Sequence, residues 1–257
     1  MQPSPAHPSL PHAYCLPVGQ REALTRHPLV NDGHLYIQNL ASQWTVHVLA
    51  PQPGETILDL AAAPGGKTTD IAARMQNTGV LSAVEAVRPR FFKLRANLEA
   101  CGVAIAKTYL MDGRAVGRKT PSRFDRILLD APCSSEARIK PGEPKSWEHW
   151  SLRKIKEASR KQRGLILSAY AALKPGGALV YSTCSFAPEE NEAVVAHLLE
   201  KCPEAHVINT ALPLDNVQPG LLEWEKMTFP EAISRTTRIL PNPHMHGFFI
   251  ATILKPA

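Results

Sequence analysis

From Pro53 onward the sequence alternates short apolar runs with amphipathic stretches, and that rhythm admits few folds. Thr56-Ile57-Leu58-Asp59-Leu60 predicts a buried strand, and Lys67 to Met75 predicts a helix. Val80 to Val84 predicts a second strand, followed by a helix over Pro89 to Cys101 with proline in its first turn. Ile105 to Tyr109, Phe124 to Leu129 and Ala178 to Ser182 predict three more strands, the last entered through a turn at Lys174-Pro175-Gly176-Gly177. A long loop and a basic helix, running to about Leu173, separate the last two of these strands. Pro188 to Lys201 predicts a helix whose first turn holds Glu189 and Glu190, acids suited to its positive end. His206 to Asn209 and Gly247 to Leu254 complete the set of strands. Such alternation predicts an α/β fold built on a doubly wound, mostly parallel sheet with helices on both faces. Sheets of this kind bind ligands beyond the C-terminal ends of their strands. The chemistry-bearing residues fall at those ends: Asp59 to Lys67, Glu85, Asp112, Asp130 to Ser134, and Ser182 to Ser185.

The stretch before this pattern reads differently. Met1 to Pro28 carries Pro3, Pro5, Pro8, Pro11, Pro17 and Pro28, which disfavour long helices and strands. We read residues 1–30 as a Pro-rich extension and 31–257 as one domain. Leu40, Trp44 and Val48 have helical spacing within Leu35 to Leu49. At 257 residues, 44% hydrophobic and 20% charged, the composition excludes collagen, coiled coil and wholesale disorder. No apolar run approaches a membrane span, and the N-terminus has no apolar signal core. Cys15, Cys101, Cys133, Cys184 and Cys202 include no CxxC pair, so neither a zinc site nor a disulfide framework is signalled and a reducing cytoplasm is expected. The net charge is 29 − 23 = +6. Between Arg138 and Arg163 lie nine basic residues (Arg138, Lys140, Lys145, Arg153, Lys154, Lys156, Arg160, Lys161, Arg163) against Glu143, Glu148 and Glu157, so this segment alone carries 9 − 3 = +6. A basic stripe of this kind suits a polyanionic partner, nucleic acid first; a solvated helix face is the plainer reading.

Three motifs sit at the strand ends. Leu58-Asp59-Leu60-Ala61-Ala62-Ala63-Pro64-Gly65-Gly66-Lys67-Thr68 is a strand, a small-residue loop and a helix start. Small residues let a ligand approach the backbone, and the helix N-terminus offers free N–H groups. A phosphate loop requires G-x-x-x-x-G-K-T; Gly66-Lys67-Thr68 fits its end, but Ala61 occupies the place of its first glycine. The other reading is the methionine-binding loop of an S-adenosylmethionine (SAM) enzyme. Glu85, some twenty residues on at the end of the second strand, suits the paired hydroxyls of a ribose, and Asp112 after the third could meet adenine. Asp130-Ala131-Pro132-Cys133-Ser134 follows the fourth strand and Tyr181-Ser182-Thr183-Cys184-Ser185 ends the fifth. One such cysteine would ordinarily be a small buried hydrophobe. Two at adjacent strand ends suggest chemistry. Beside a helix N-terminus a thiol can be acidified, although Glu189 and Glu190 would oppose that.

Together these blocks resemble the signature motifs of the RsmB/Nop/Sun RNA (cytosine-5)-methyltransferases. Tyr36-Ile37-Gln38 to Ser42, Arg90, Gln162, Arg238 and Gly247-Phe248-Phe249 support the likeness, which runs over roughly residues 30–257. The resemblance implies a class I SAM-dependent methyltransferase catalytic domain, with a seven-stranded sheet containing one antiparallel strand. It implies SAM as cofactor, held by Ala61, Ala62, Ala63, Pro64, Gly65, Gly66 and Lys67 with Glu85, Arg90, Asp112 and Asp130. It makes Cys184 the nucleophile and has Cys133 assist product release. No metal is implied. A thiolate adding to carbon 6 of cytosine would make carbon 5 enamine-like and able to take a methyl group. Asp130 could share a proton with the N3 edge, and Cys133 is a candidate base for the carbon-5 proton. The expected partner is RNA, ribosomal or transfer, with no membrane; a cytoplasmic monomer is expected, with a partner protein for target selection left open. Trp147 and Trp150 could stack on bases or pack in the core.

The chain departs from the family pattern at three places. Ala61 stands where many relatives have Cys, Glu85 where they have Asp, and Ser134-Ser135-Glu136-Ala137 where Ser-Gly-x-Gly is frequent. Other readings stay open at this stage: a cytosine-5 DNA methyltransferase using Cys133, a non-catalytic RNA-binding or assembly factor on the same scaffold, and a P-loop nucleotidase, whose pattern Ala61 breaks.

Overall fold

The computed structural model describes residues 3–16, 19–140 and 142–257; Met1, Gln2, Pro17, Val18 and Pro141, including one of the six N-terminal prolines, lie outside the described residues. The apolar runs become the strands of one sheet: β1 (Thr56–Asp59), β2 (Val80–Glu85), β3 (Ala106–Leu110), β4 (Phe124–Asp130), β5 (Leu173–Thr183), β6 (His206–Ile208), β7 (Val217–Pro219), β8 (Thr237–Ile239) and β9 (Phe248–Leu254). The order across the sheet is β3-β2-β1-β4-β5-β9-β8-β7, with β6 also paired to β9. Strands β1 to β5 are mutually parallel, and β9 runs antiparallel to β5 with Phe249 opposite Thr183 and Leu254 opposite Ala178. The expected seven strands are therefore β1–β6 and β9. Two more, β8 and β7, extend the sheet antiparallel beyond β9, giving nine in all.

Five helices cover the sheet: α1 (Leu40–Leu49), α2 (Gly66–Arg74), α3 (Arg88–Ala100), α4 (Leu152–Ala172) and α5 (Glu192–Lys201). The period-two alternation of the central strands sends neighbouring side chains to opposite faces. Ile57, Leu128, Val180 and Ile250 pack with Trp44, Leu49 and Ile71 of α1 and α2. Leu58, Leu129, Tyr181 and Phe249 pack with Leu165, Ile166, Val194 and Leu198 of α4 and α5. Both faces of the middle strands are dry, as expected of a parallel sheet under helices.

Two local expectations are corrected. Lys174-Pro175-Gly176-Gly177 does not end an element but lies within β5. Between the pairs Phe124–Leu173 and Arg126–Ala178 the strand bulges. Gly176, at φ +75°, donates its N–H to the Lys255 carbonyl, and Lys255 donates back to Gly177. Turn-forming residues are here spent on a bulge held by the neighbouring chain. The helix expected from Pro188 begins instead at Glu192. Residues 188–191 form turns because their polar side chains point inward: the Asn191 amide donates to the Ser185 carbonyl at 2.9 Å and accepts from Thr183.

The N-terminal prolines do restrict regular structure to short pieces. Ser4–Pro5 pairs antiparallel with Tyr14–Cys15. Between them Leu10 and Ala13 are buried in the α1 side of the core, and His7 meets the Trp44 ring edge-on at 5.0 Å. Among the described residues no helix is long and apolar enough to cross a membrane.

A buried ion pair ties the added strands to the helical layer. Glu192, fully buried, accepts from Arg238 of β8 at 2.7 and 2.6 Å and from the Leu221 N–H at 3.0 Å. Arg238→Ala should strand that carboxylate in the core and cost about 3–5 kcal/mol, read as a lowered denaturation midpoint in urea.

Candidate active site

The loop between β1 and α2 is shaped by its smallest residues. Gly65 takes φ +113° at the helix N-cap, a conformation open to glycine at little cost. A Cβ on Gly66 would lie 2.6 Å from Cε1 of Tyr36, so the Tyr36 ring packs directly on the loop. Arg90 of α3 braces the outer side, donating to the Ala63 carbonyl at 2.6 Å, and Asn97 donates to the Pro64 carbonyl at 2.7 Å. The Ala63–Pro64 peptide is cis. Asp59 sits behind the loop, fully buried. One of its oxygens accepts from Thr68 at 2.7 Å and the other, Oδ1, has no partner among the described residues. Burial pushes its carboxyl up to about 6, against the opposing pull of Thr68 and Lys67.

Glu85, buried at the end of β2, accepts from the Val87 N–H at 2.8 Å and has Arg90 at 3.9 Å. Asp112, after β3, is half-exposed. It caps the short turn Gly113–Ala115 and is gripped by Arg114 at 2.6–3.1 Å, whose hydrogen bonds hold its carboxyl below the usual range. These groups and the α2 N-terminus lie along one line of strand ends. The glycine cradle, the unpartnered Asp59 oxygen and the first-turn N–H groups of α2 suit a ligand with both an anionic and a hydroxylated part, and so fit SAM. Lys67 does not point to a phosphate. It is paired with Asp130 at 2.6 Å, donates to Ser42 at 3.2 Å and lies over the Phe248 ring.

Asp130 ends β4 with its second oxygen accepting from Ser182 of β5 at 3.0 Å. The next two residue blocks bring the cysteines together: Cys133 Sγ and Cys184 Sγ are 3.3 Å apart. Ser135, at φ +64°, places its hydroxyl 3.9 Å from Cys133. The hydrogen bond between the two sulfurs, aided by the charge of Arg138, lowers Cys184 to about 7 against the opposing effect of burial. The same hydrogen bond, with burial, raises Cys133 well above an ordinary thiol. The two sulfurs therefore titrate as a pair, with Cys184 drawn below and Cys133 pushed above an ordinary thiol by the same contact.

Two carboxylates that the sequence did not place in the site hold this pair in place. Glu190, buried, accepts from Ser134 N–H at 3.0 Å, Ser185 Oγ at 2.9 Å and Gln162 Nε2 at 2.8 Å. Glu136 accepts from the N–H groups of Phe186 and Ala187, each at 2.9 Å, and its Oε2 lies 3.0 Å from Ser185 Oγ, whose one proton serves either carboxylate. The signal for Glu136 was its position three residues after Cys133. Nothing in sequence distinguished Glu190 from a helix-start acid. Gln162, on the inner side of α4, also donates to the Pro132 carbonyl at 2.9 Å. The outer side of α4 and the loop before it expose Arg138, Lys140, Lys145, Arg153, Lys156, Arg160, Lys161 and Arg163, with Lys154 half-buried. Trp147 and Trp150 are not in the core; they are 38% and 40% exposed.

Residues 46–254 match the family described as 16S rRNA methyltransferase RsmB/F. The chain belongs to the RsmB/F family. It is 45% identical over 225 residues to the tRNA (cytosine(49)-C(5))-methyltransferase of Pyrococcus abyssi, covering 87% of this chain and 71% of that one. It is 39% identical over 236 residues to ribosomal RNA small subunit methyltransferase F of Enterobacter sp. strain 638, covering 88% of this chain but only 45% of that protein. The crystal structure of NSun6 from Pyrococcus horikoshii with SFG superposes with a TM-score of 0.76 at 34% identity, over 91% of this chain and 56% of that one. The fold of this RsmB/F member is the class I SAM-dependent methyltransferase fold.

Iodoacetamide should label Cys184 with a midpoint near pH 7. Below the midpoint the thiolate is protonated, so the rate should fall about tenfold for each pH unit below ~6. Cys133→Ala removes the contact that lowers Cys184, so the midpoint should move upward; peptide mass mapping against pH checks both.

Proposed function

We propose that the chain methylates carbon 5 of a cytosine in RNA, ribosomal or transfer, with SAM as donor and a covalent Cys184–cytosine bond on the way. The observation that carries this reading is the 3.3 Å approach of two cysteine sulfurs of unequal acidity, beside the Asp130–Lys67 pair. The family membership and the named relatives support the reaction class.

SAM, when bound, supplies the electrophilic methyl group that carbon 5 takes. The small-residue loop Ala61–Gly66, which lets a ligand approach its backbone, and the free N–H groups in the first turn of α2 would hold its amino-acid end. Glu85 would take the ribose hydroxyls, Asp112 the adenine edge, and Arg90 keeps the loop in shape. On the other side of Asp130 the Cys184 thiolate adds to carbon 6, forming the C–S bond and shifting electron density onto carbon 5. Asp130, with Lys67 against one oxygen and Ser182 against the other, is assigned to the N3 edge, where it accepts a hydrogen bond from N3 once N3 takes a proton from solvent to balance the accumulating charge. Once Cys184 is a thioether, its hydrogen bond and charge no longer hold the proton on Cys133, while burial, Glu190 and Asp130 still favour the thiol. The Cys133 proton passes to solvent at this stage of the reaction. Directly or through a water it takes the proton from carbon 5, whose electrons re-form the double bond and expel Cys184 as thiolate. One thiol thus works only after the other has been spent, which explains why the site holds two.

The exposed basic stripe of α4 suits the phosphates flanking the target. Because the chain spans 45% of the length of the F-type relative, the choice of RNA and of cytosine is assigned no further.

Labelled methyl from SAM should appear as 5-methylcytosine in RNA from cells lacking the protein, and Cys184→Ala should abolish it. Cys133→Ala should instead accumulate a protein–RNA adduct stable in SDS, because expulsion is blocked. Label persisting in Cys184→Ala would overturn the reading. RNA affinity should fall steeply between ~50 and ~200 mM salt. Lys156→Ala and Arg160→Ala should each flatten the log–log slope by about 1, measured by titration at several salt concentrations.

A further inference from the structure

Glu136 does more than join the two cysteine loops. Its other oxygen, Oε1, accepts from the indole N–H of Trp150 at 2.9 Å, across fourteen residues of loop. A single carboxylate therefore holds the backbone of Phe186, two residues after Cys184, and the ring edge of Trp150. Both rings remain open to solvent, at 37% and 40%. Phe186 is fixed from behind: a Cβ on Gly247 would lie 2.3 Å from its ring, and Arg238 donates to its carbonyl at 3.0 Å. Large aromatic rings left half in water, yet each tethered at one edge, lose little further conformational freedom when a flat partner covers them. The same loop exposes Arg138 and Lys140, so the segment that carries Trp150 also carries cations. Rings alternating with cations beside a reactive group are the elements of a single-strand nucleic-acid platform.

We propose that Trp150 and Phe186 are stacking faces for the bases next to the target cytosine, and that Glu136 is the positioning residue that sets them beside Cys184. The proposal rests on the RNA reading above. It adds the recognition mode: a strand opened at the target, with neighbouring bases splayed onto the two rings, and not a closed duplex read by its shape.

The test uses a short single-stranded RNA with 2-aminopurine on each side of one cytosine, titrated with the full chain. Binding should quench the fluorophore. Trp150→Ala should weaken affinity about tenfold or more and remove the quench on one side. Trp150→Phe keeps a ring but loses the N–H, and should retain most of the quench with weaker affinity. Glu136→Gln keeps a carbonyl oxygen for the Phe186 loop and turns an amide toward Trp150. It should weaken affinity in the wild-type background and have no added effect in Trp150→Phe, since the bond it breaks is already gone. Melting temperature and Cys184 alkylation report whether fold and thiol pair are intact in each variant. Trp150→Ala binding within twofold of wild type, or equal effects of Glu136→Gln in both backgrounds, would overturn the proposal while leaving the RNA reading standing. A wild-type chain that binds no RNA would bring down that reading, and this inference with it.

Discussion

The two cysteines meet because a buried carboxylate has to be satisfied. Glu190 lies in the core between three segments, and an uncompensated charge there would cost several kcal/mol. It takes its donors from Ser134 after β4, Ser185 after β5 and Gln162 on α4. Ser134 and Ser185 are the immediate neighbours of Cys133 and Cys184, so satisfying the charge closes the thiol pair. Ser134 and Ser185 hydroxyls, 3.0 Å apart, complete the same knot. Glu136 then repeats the device at the surface side. The site is rigid because polar groups that cannot be left bare leave the loops no second arrangement.

Much of this was legible in the chain. The parallel strands announced themselves as apolar runs of the right length, and their ends collected the small-residue loop, the acids and the thiols. What sequence misread was polar residues whose partners are distant. Lys174 to Gly177 has turn composition, and only the carbonyl and N–H of Lys255 turn that composition into a bulge. Glu189-Glu190 after a proline looks like the start of a helix. It became a turn because Glu190 and Asn191 are drawn inward by groups on β4, β5 and α4. Lys67 read as a possible phosphate ligand until Asp130, 63 residues away, claimed it. Trp147 and Trp150 left core and surface equally open, since a tryptophan serves either and one hydrogen bond to Glu136 settles where Trp150's ring lies.

The charge relations follow the same logic. Asp130 stands between the loop assigned to the cofactor and the thiols, and Lys67 and Ser182 meet it from either side. The oppositely shifted acidities of Cys133 and Cys184 come mainly from each other. They are a property of the pair, so removing either sulfur rewrites the other.

That pair also has a history within each molecule. Cys133 and Cys184 are 51 residues apart in the chain, and β9, which flanks the Cys184 strand, follows both. Apart, each is an ordinary thiol; the unequal pair comes into being only when β4 and β5 have registered against each other, with β9 laid along β5. The acidity of Cys184 thus belongs to the closed sheet and not to the loop that carries it.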